Sequence, residues 1–576
     1  RKEPLRVPAS AAKELRHLLR LRDQASRQLA LERATVDDTI EIGTSRAGLL
    51  AEWRSYLYRF GPINCFTRTP TGRTGEDGEP IMARRTPAAT RLLRGDPFGP
   101  LVFALEIFDD DTQEAEPAAL LTRRVVAPRP ERLGAETPAE AVQICLDRLG
   151  RIDLATIAEL LGEPPERARE LLGDLVYDDP EQDGGLVHAP AYLSGSIYPK
   201  IEAARFAAEQ DDRFLVNVEA LQRVLPDPLG PEEITAKIGA VWISPDIHQQ
   251  FLRELLGDQG VKVTCPLPAT WKVRGGMRFT VRASQEWGSE RRPAPDLFEL
   301  IANQTPIRVD DTYKDADGRE RSVFNPTETA AAQDKAGQLI ERFEEWVWED
   351  PDRARDLAAE YNRRFNSIAL RDYSSGGEYL SLPGMTEAFE LRPHQRAAVA
   401  RMIAEPAVGL FHEVGAGKTA EMVVGAMELR RLGMVRKPAI VVPNHMLEQF
   451  SREWLQLYPQ ARILAANSDT LAGDKRRIFV ARAAANDWDG IILTRTAFQR
   501  LDLEPENLTA FTDQHLRALK QALDFTAEDD GRTLKQIEKA IAREEEKVKK
   551  MLETPRDAGV TFEATSIDYA IVDEAH

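Results

Sequence analysis

The stretch His412-Glu413-Val414-Gly415-Ala416-Gly417-Lys418-Thr419 decides how the fold is read. An apolar segment at residues 408–411 precedes it and a helical pattern follows through Glu428, the strand–loop–helix order that a phosphate-binding loop requires. Gly415 and Gly417 let the backbone bend so that successive N–H groups, that of Ala416 among them, face one anion. The following helix N-terminus adds its partial positive charge. In such a loop Lys418 reaches the β- and γ-phosphates of ATP and Thr419 offers its hydroxyl to Mg²⁺. The full Walker pattern has glycine where His412 stands, so the match is incomplete, and a ligand-free glycine-rich turn would look similar. Other parts of the chain have to separate the two.

The strongest of these lies at the far end. Tyr569-Ala570-Ile571-Val572 is a buried-strand signature that delivers Asp573-Glu574-Ala575-His576 at its carboxyl end, where ligands bind in open α/β sheets. Asp573 suits a Mg²⁺ ligand and Glu574 suits a base that orients the attacking water, with Lys418 completing the catalytic set. Between loop and carboxylates, the run 438–442 feeds Pro443-Asn444-His445 and the run 488–493 feeds Thr494-Arg495-Thr496. Pro443, Asn444, His445, Thr494 and Thr496 are candidate contacts to the phosphates of a DNA strand lying across the sheet, though ordinary βα turns carry the same residue types. Upstream, Leu391-Arg392-Pro393-His394-Gln395 opens a helix, and Gln395 can pair donor and acceptor with an adenine edge.

This ordered set, residues 391–395, 413–419, 440–445, 491–496 and 573–576, resembles the first RecA-like lobe of superfamily 2 helicases. It is closest to the Swi/Snf-type branch, in which an acidic residue is usual where His412 stands. The resemblance implies ATP and Mg²⁺ as cofactors, DNA as partner, and an ATP-dependent helicase or translocase carrying a DEAH-type box. Short strings at residues 58–64, 191–195, 238–245, 324–328 and 362–366 resemble a wider group. These are bacterial mobile-element and phage proteins, some called antirestriction proteins, that join an adenine-specific DNA methyltransferase to such a helicase. The Asn-Pro-Pro-aromatic motif of that methyltransferase is not in this sequence, so a methyltransferase domain is expected upstream of Arg1 in the parent polypeptide. The alternative is a non-catalytic DNA-binding or assembly segment of such a fusion.

Bulk properties agree with a multidomain protein. A chain of 576 residues with 42% hydrophobic and 30% charged residues outgrows a single core and is too apolar for general disorder. Cys65, Cys145 and Cys265 are far apart, which excludes a disulfide framework or a cysteine-rich zinc site and suits a reducing cytoplasm. No apolar run approaches the ~20 residues of a membrane span. A net charge of −18 speaks against a protein that coats nucleic acid and leaves local DNA contacts open. The chain starts at Arg1 without Met and stops at His576, directly after the Asp-Glu pair. It therefore reads as a fragment, truncated before a second lobe whose arginines contribute about 10³- to 10⁵-fold to phosphoryl transfer, and its own hydrolysis is expected to be negligible.

The expected fold class is multidomain α/β and α+β, with a truncated C-terminal RecA-like P-loop lobe preceded by mostly helical modules. Residues 1–136 form an α+β region with helices to residue 60, a loop over 67–94, and strands at 101–108 and 119–126 around the turn Asp109-Asp110-Asp111. Residues 137–198, three short helices and a hairpin, suggest a winged helix. Its third helix balances Glu166, Glu170 and Asp174 against Arg167 and Arg169, which favours a protein contact over a DNA contact. Residues 199–326 form an α+β accessory domain with strands at 261–263, 270–273 and 277–281. Trp242, Trp271 and Trp287 there favour core packing over base stacking. Residues 327–385 form a helical brace broken near Pro351. Residues 386–576 form the motor lobe, with a helical insertion at about 505–560 whose lysines, Lys547, Lys549 and Lys550, favour a solvated face.

Overall fold

Continuous apolar runs, unlike alternating ones, mark strands covered on both faces, as in parallel sheets, and the C-terminal part of the chain is built around four of them. In the computed structural model these are β1 (Pro438–Val442), β2 (Ile463–Ala466), β3 (Gly490–Thr494) and β4 (Tyr569–Val572). All pair in parallel, in the order β2-β3-β1-β4. The described residues are 7–74, 80–96, 98–128, 133–182, 184–267, 269–314, 320–373, 377–504, 506–507, 509–510, 517, 546 and 561–575. Most of the expected helical insertion, with Lys547, Lys549 and Lys550, lies outside them, as does His576.

Side chains alternate between faces along a strand. Ile440, Val442 and Ile492 enter one core with Val423, Val424, Phe450 and Trp454, whereas Ala439, Ile491 and Leu493 enter another with Phe479 and Val480. The covering helices are α1 (Pro393–Ala404), α2 (Lys418–Arg431), α3 (Leu447–Leu457) and α4 (Lys475–Ala485), and the short α5 (Arg495–Phe498) follows β3. β1 and β3 are buried along their whole length, while β4, at the sheet edge, is half-buried and exposed in alternation. Gly490 is required where Trp454 lies against β3, since a Cβ there would sit 2.1 Å from the indole.

Two features of the sheet depart from expectation. β2 was not anticipated, because Ile-Leu-Ala-Ala is too short a run to tell strand from helix. Residues 408–411 form no strand, and Phe411 is 96% exposed. A strand exists through its ladder, and among the described residues nothing pairs with this segment.

The chain divides into two compact units, one of Arg1–Tyr192, Asp372–Glu504 and Arg556–His576, the other of Leu193–Arg371 with Pro505–Pro555. In the first, two long helices (Ala12–Ala34 and Ile40–Phe60) pack with short helices at Ala88–Leu93 and Gly99–Phe103. The expected loop at 67–94 holds a hairpin, Thr67–Thr74 with Pro80–Arg85. Thr67, Arg68, Pro70, Arg84 and Arg85 in it are exposed, and its sequence carries no alternating apolar signal. The expected strand 101–108 shrinks to Glu106–Phe108, and its partner is Ala115–Pro117 rather than 119–126, which holds no strand; Gly99–Phe103 and Ala119–Thr122 are helical turns packed in the core. This region bonds to the motor lobe through Glu387 N–H to Val125 O (3.0 Å) and buried Arg452 Nη1 to Asn64 Oδ1 (3.2 Å).

The expected winged helix is present as helices Pro138–Leu149, Leu154–Leu161 and Pro165–Leu172 and the hairpin Val176–Asp179 with Gly185–His188. Thr137 and Asp153 cap the first two helices by accepting from Glu140 N and Thr156 N, and Gly150 and Gly162 end them in the left-handed region. Asp147 docks the module on the lobe, accepting from Arg431 Nη2 (2.6 Å to its carbonyl oxygen) and from Ser381 N–H (3.1 Å).

The second unit packs helices Pro245–Leu256, Ala294–Ala302 and Pro326–Glu349 against the hairpin Lys262–Leu267 with Thr270–Arg274. Trp271 is core, donating from Nε1 to Gly239 O at 3.0 Å, and Trp242 and Trp287 are partly buried against the same core. Residues 277–281 are a turn entering a π-helix at Arg282–Glu286, not a strand. Met277, Phe279 and Val281 all point to solvent there, so the alternation has no core to serve.

His248 is fully buried among Trp271, Phe298 and Phe343. It donates from Nδ1 to Ser244 O (3.0 Å) and accepts at Nε2 from Gly239 N–H (3.1 Å), an arrangement that needs the neutral ring. Burial pushes its pKa from 6.5 down to about 4. The unfolded chain therefore takes up a proton that the folded one refuses, and stability falls as pH drops from 6.5 towards 4. The expected loss is about 3 kcal/mol across that window. Urea unfolding from pH 7 to 4.5 should show this slope in the wild type and not in His248→Gln; identical slopes would refute it.

Candidate nucleotide site

The loop is shaped by its glycines. Gly415 (φ +87°) and Gly417 (φ +91°) both occupy the left-handed region, where a side chain is strained. Gly417 is also the N-cap of the 14-residue α2, and a Cβ on it would lie 2.2 Å from Gln395 Nε2. Lys418 and Thr419 begin the helix, half-buried. The Lys418 ammonium donates to the carbonyls of His412 (2.8 Å) and Glu413 (3.1 Å), drawing the loop around itself. Ala416 N–H, one of the groups expected to face the anion, donates to Glu413 O (3.3 Å); the start of α2, beside a lysine, fits a phosphate-bearing ligand.

Gln395 is only 3% exposed. Its Oε1 accepts from Arg392 N–H (2.9 Å) and its Nε2 donates to Ala416 O (3.0 Å), so its amide braces the loop from α1. Sequence reasoning did not anticipate His394 and Glu421 in this brace. His394 Nε2 lies 3.0 Å from the same Ala416 carbonyl. Glu421, fully buried on α2, receives His412 Nδ1 at 2.9 Å. The one available signal was a glutamate in the otherwise small and apolar start of α2, Thr419-Ala420-Glu421-Met422-Val423.

The parallel register aligns the carboxyl ends of β1, β3 and β4 along one edge of the sheet. Asp573 N–H donates to Val441 O at 2.8 Å, fixing the acidic pair beside β1. Burial pushes the Asp573 carboxyl above its ordinary range; neighbouring Glu574 adds to the rise, and the Lys418 ammonium pulls it partly back. The loop lysine and the strand-end carboxylate thus interact electrostatically although far apart in sequence. Glu574 takes a left-handed backbone, φ +50°, a strained state for a non-glycine residue of the kind that clusters at functional sites.

A carboxyl with a raised folded-state pKa binds its proton more tightly folded than unfolded. Ionised Asp573 therefore costs stability once pH rises above its ordinary value of 3.8, and a bound divalent cation would offset that cost. Without Mg²⁺, Asp573→Asn should melt above the wild type at neutral pH, with the gap closing as pH falls towards 4. Adding Mg²⁺ and nucleotide should reverse the order. A lower melting temperature for the variant in chelator would contradict the assignment of strain to this carboxylate.

The candidate DNA contacts separate into two kinds. Asn444 and His445 are exposed, and Asn444 Oδ1 accepts from the Thr496 hydroxyl (2.9 Å) across the ends of β1 and β3. Pro443 is half-buried ahead of them. Thr494 is 1% exposed and caps α5 by accepting from Ala497 N–H; its contribution is to place Thr496. In the winged helix, Arg167 pairs with Glu170 and Arg169 with Asp178, so both cations of the third helix are neutralised within the module. Among the described residues no group of three or more His, Cys, Asp or Glu side chains is arranged to hold a metal ion by itself, and no helix is long and apolar enough to cross a membrane.

No curated protein and no solved structure matches the chain. Three families do match parts of it. Residues 237–367 match a domain of unknown function, DUF8437. Residues 134–189 match the family described as "Probable helicase, winged helix domain", and residues 402–576 match "Probable helicase domain". The mixed helical and α/β fold, with its parallel four-stranded sheet near the C-terminus, is consistent with a helicase lobe. The similarity of its loop, sheet and winged helix to these families supports reading the chain as part of a helicase, with the nucleotide and metal use and the DNA interaction that helicases have in general.

Proposed function

We propose that this chain carries the ATP-binding half of a DNA helicase or translocase motor of the Swi/Snf-type superfamily 2. One observation carries the reading. Asp573 is fixed at the carboxyl end of the parallel sheet, where α/β proteins bind ligands, by its N–H bond to Val441 O (2.8 Å), and there it feels the charge of the lysine of a glycine-shaped loop. Lys418 holds the terminal phosphates, Gly415 and Gly417 supply backbone N–H groups, Ala416 adds its own on releasing Glu413 O, and Gln395 sets the loop. Thr419 and Asp573 would hold Mg²⁺, which would supply positive charge beside the phosphates. Glu574 orients the attacking water. Asn444, His445 and Thr496, with Pro443 and Thr494 placing them, meet the DNA backbone along the same edge, so that nucleotide state and DNA grip share one set of strands.

The wider resemblance to methyltransferase–helicase fusions is kept as the setting for this motor. The competing reading, a DNA-binding or assembly segment with no turnover, differs in one measurable respect. The full-length protein should hydrolyse ATP with Mg²⁺, and duplex DNA should accelerate it at least several-fold; hydrolysis indifferent to DNA, or none, would favour the scaffold.

A further inference from the structure

The neck of the loop holds a contact to which nucleotide binding and hydrolysis assign no role. A carboxylate is almost never fully buried without partners, and Glu421 is 0% exposed. His412 Nδ1 lies 2.9 Å from its Oε1 and 3.1 Å from its Oε2. His394 Nε2 stands 3.9 Å from the same carboxylate, and the two imidazoles meet edge to face at 5.6 Å. Glu421 belongs to the helix that leaves the loop, and His412 to the segment that enters it. Their bond closes the neck, and it fixes the backbone carbonyl of His412 on which the Lys418 ammonium rests at 2.8 Å. Glycine at position 412, as in the full Walker pattern, could not make this tie.

Building on the proposed nucleotide site, we infer that His412 is a positioning residue. Its Nδ1–H bond to buried Glu421 holds the loop in binding shape before a nucleotide arrives. Ordering that precedes binding is not charged against affinity. Loss of the bond should therefore weaken nucleotide binding, raising KM with little change in kcat.

Two variants separate the nitrogen from the ring. His412→Phe keeps an aromatic ring against His394 and removes the donor; His412→Asn removes the ring and keeps an N–H donor near the position of Nδ1. Binding of a fluorescent ATP analogue with Mg²⁺ is titrated, and thermal unfolding is followed in parallel. His412→Phe should bind about tenfold more weakly, the scale of one hydrogen bond to a charged group. His412→Asn should stay within about threefold of wild type. His412→Asn should melt near wild type, whereas His412→Phe should melt lower, because it takes the donor from the fully buried Glu421. Wild-type affinity in His412→Phe, or equal losses in both variants, would overturn the inference, the second by assigning the effect to ring packing. Should His412→Phe not fold, His412→Ala takes its place against the same Asn variant. Lys418→Ala serves as the reference. If it binds like wild type, the nucleotide site itself is misassigned; if it fails to bind while His412→Phe binds normally, only the positioning role falls.

Discussion

Lys418→Ala is expected to reduce nucleotide affinity by about 100-fold or more while leaving the fold intact. The ammonium would make charge-assisted bonds to two phosphates, each contributing roughly 1.5–3 kcal/mol, and each 1.4 kcal/mol is tenfold in binding. Free of ligand, the same ammonium donates to two loop carbonyls, of His412 and Glu413. These are half-exposed or exposed positions, where water replaces a lost donor at a cost of about 1 kcal/mol or less. The signature is therefore lopsided, with a small change in melting temperature and a large change in affinity by calorimetry or fluorescence. Lys418→Arg should not rescue, because a planar fork does not substitute for a compact ammonium inside a tight loop. A Lys418→Ala protein that binds ATP and Mg²⁺ as the wild type does would remove the nucleotide site altogether.

Glu574→Gln should have the opposite profile. The amide keeps the size of the side chain and can keep the left-handed backbone that residue 574 adopts, yet it cannot accept a proton. Loss of a positioned general base costs typically about 10²- to 10⁴-fold in rate. Single-turnover hydrolysis by the full-length protein should fall by that factor, with nucleotide affinity within a few-fold of wild type. Affinity should even rise slightly, because removing one negative charge beside Asp573 relieves part of the repulsion that raises its pKa. Equal hydrolysis in variant and wild type would move the base elsewhere.

Much was legible in the sequence because its signals are local. The loop glycines, the lysine that begins α2 and the three apolar runs that became β1, β3 and β4 each declare themselves within a few residues. So do the prolines that open helices at Pro351 and Pro393. Where residue chemistry and spacing suffice, sequence determined the outcome: a parallel α/β lobe, a winged helix ahead of it, and acidic residues delivered to the carboxyl end of a strand.

What only tertiary structure decided depends on partners distant in the chain. Residues 408–411 have the composition of a strand and no ladder neighbour to make them one, whereas residues 67–85 lack an alternating pattern and still pair. Thr494 reads from sequence like Thr496, but one is buried as a cap and the other reaches Asn444. Gln395 reads as a reader of adenine, yet its amide is occupied bracing Ala416. Glu421 has no motif at all, and its burial against His412 is visible only once the entry and exit of the loop are side by side. Periodicity and capping are properties of a segment, while ladder pairing and the satisfaction of a buried charge are properties of the groups that folding brings against it.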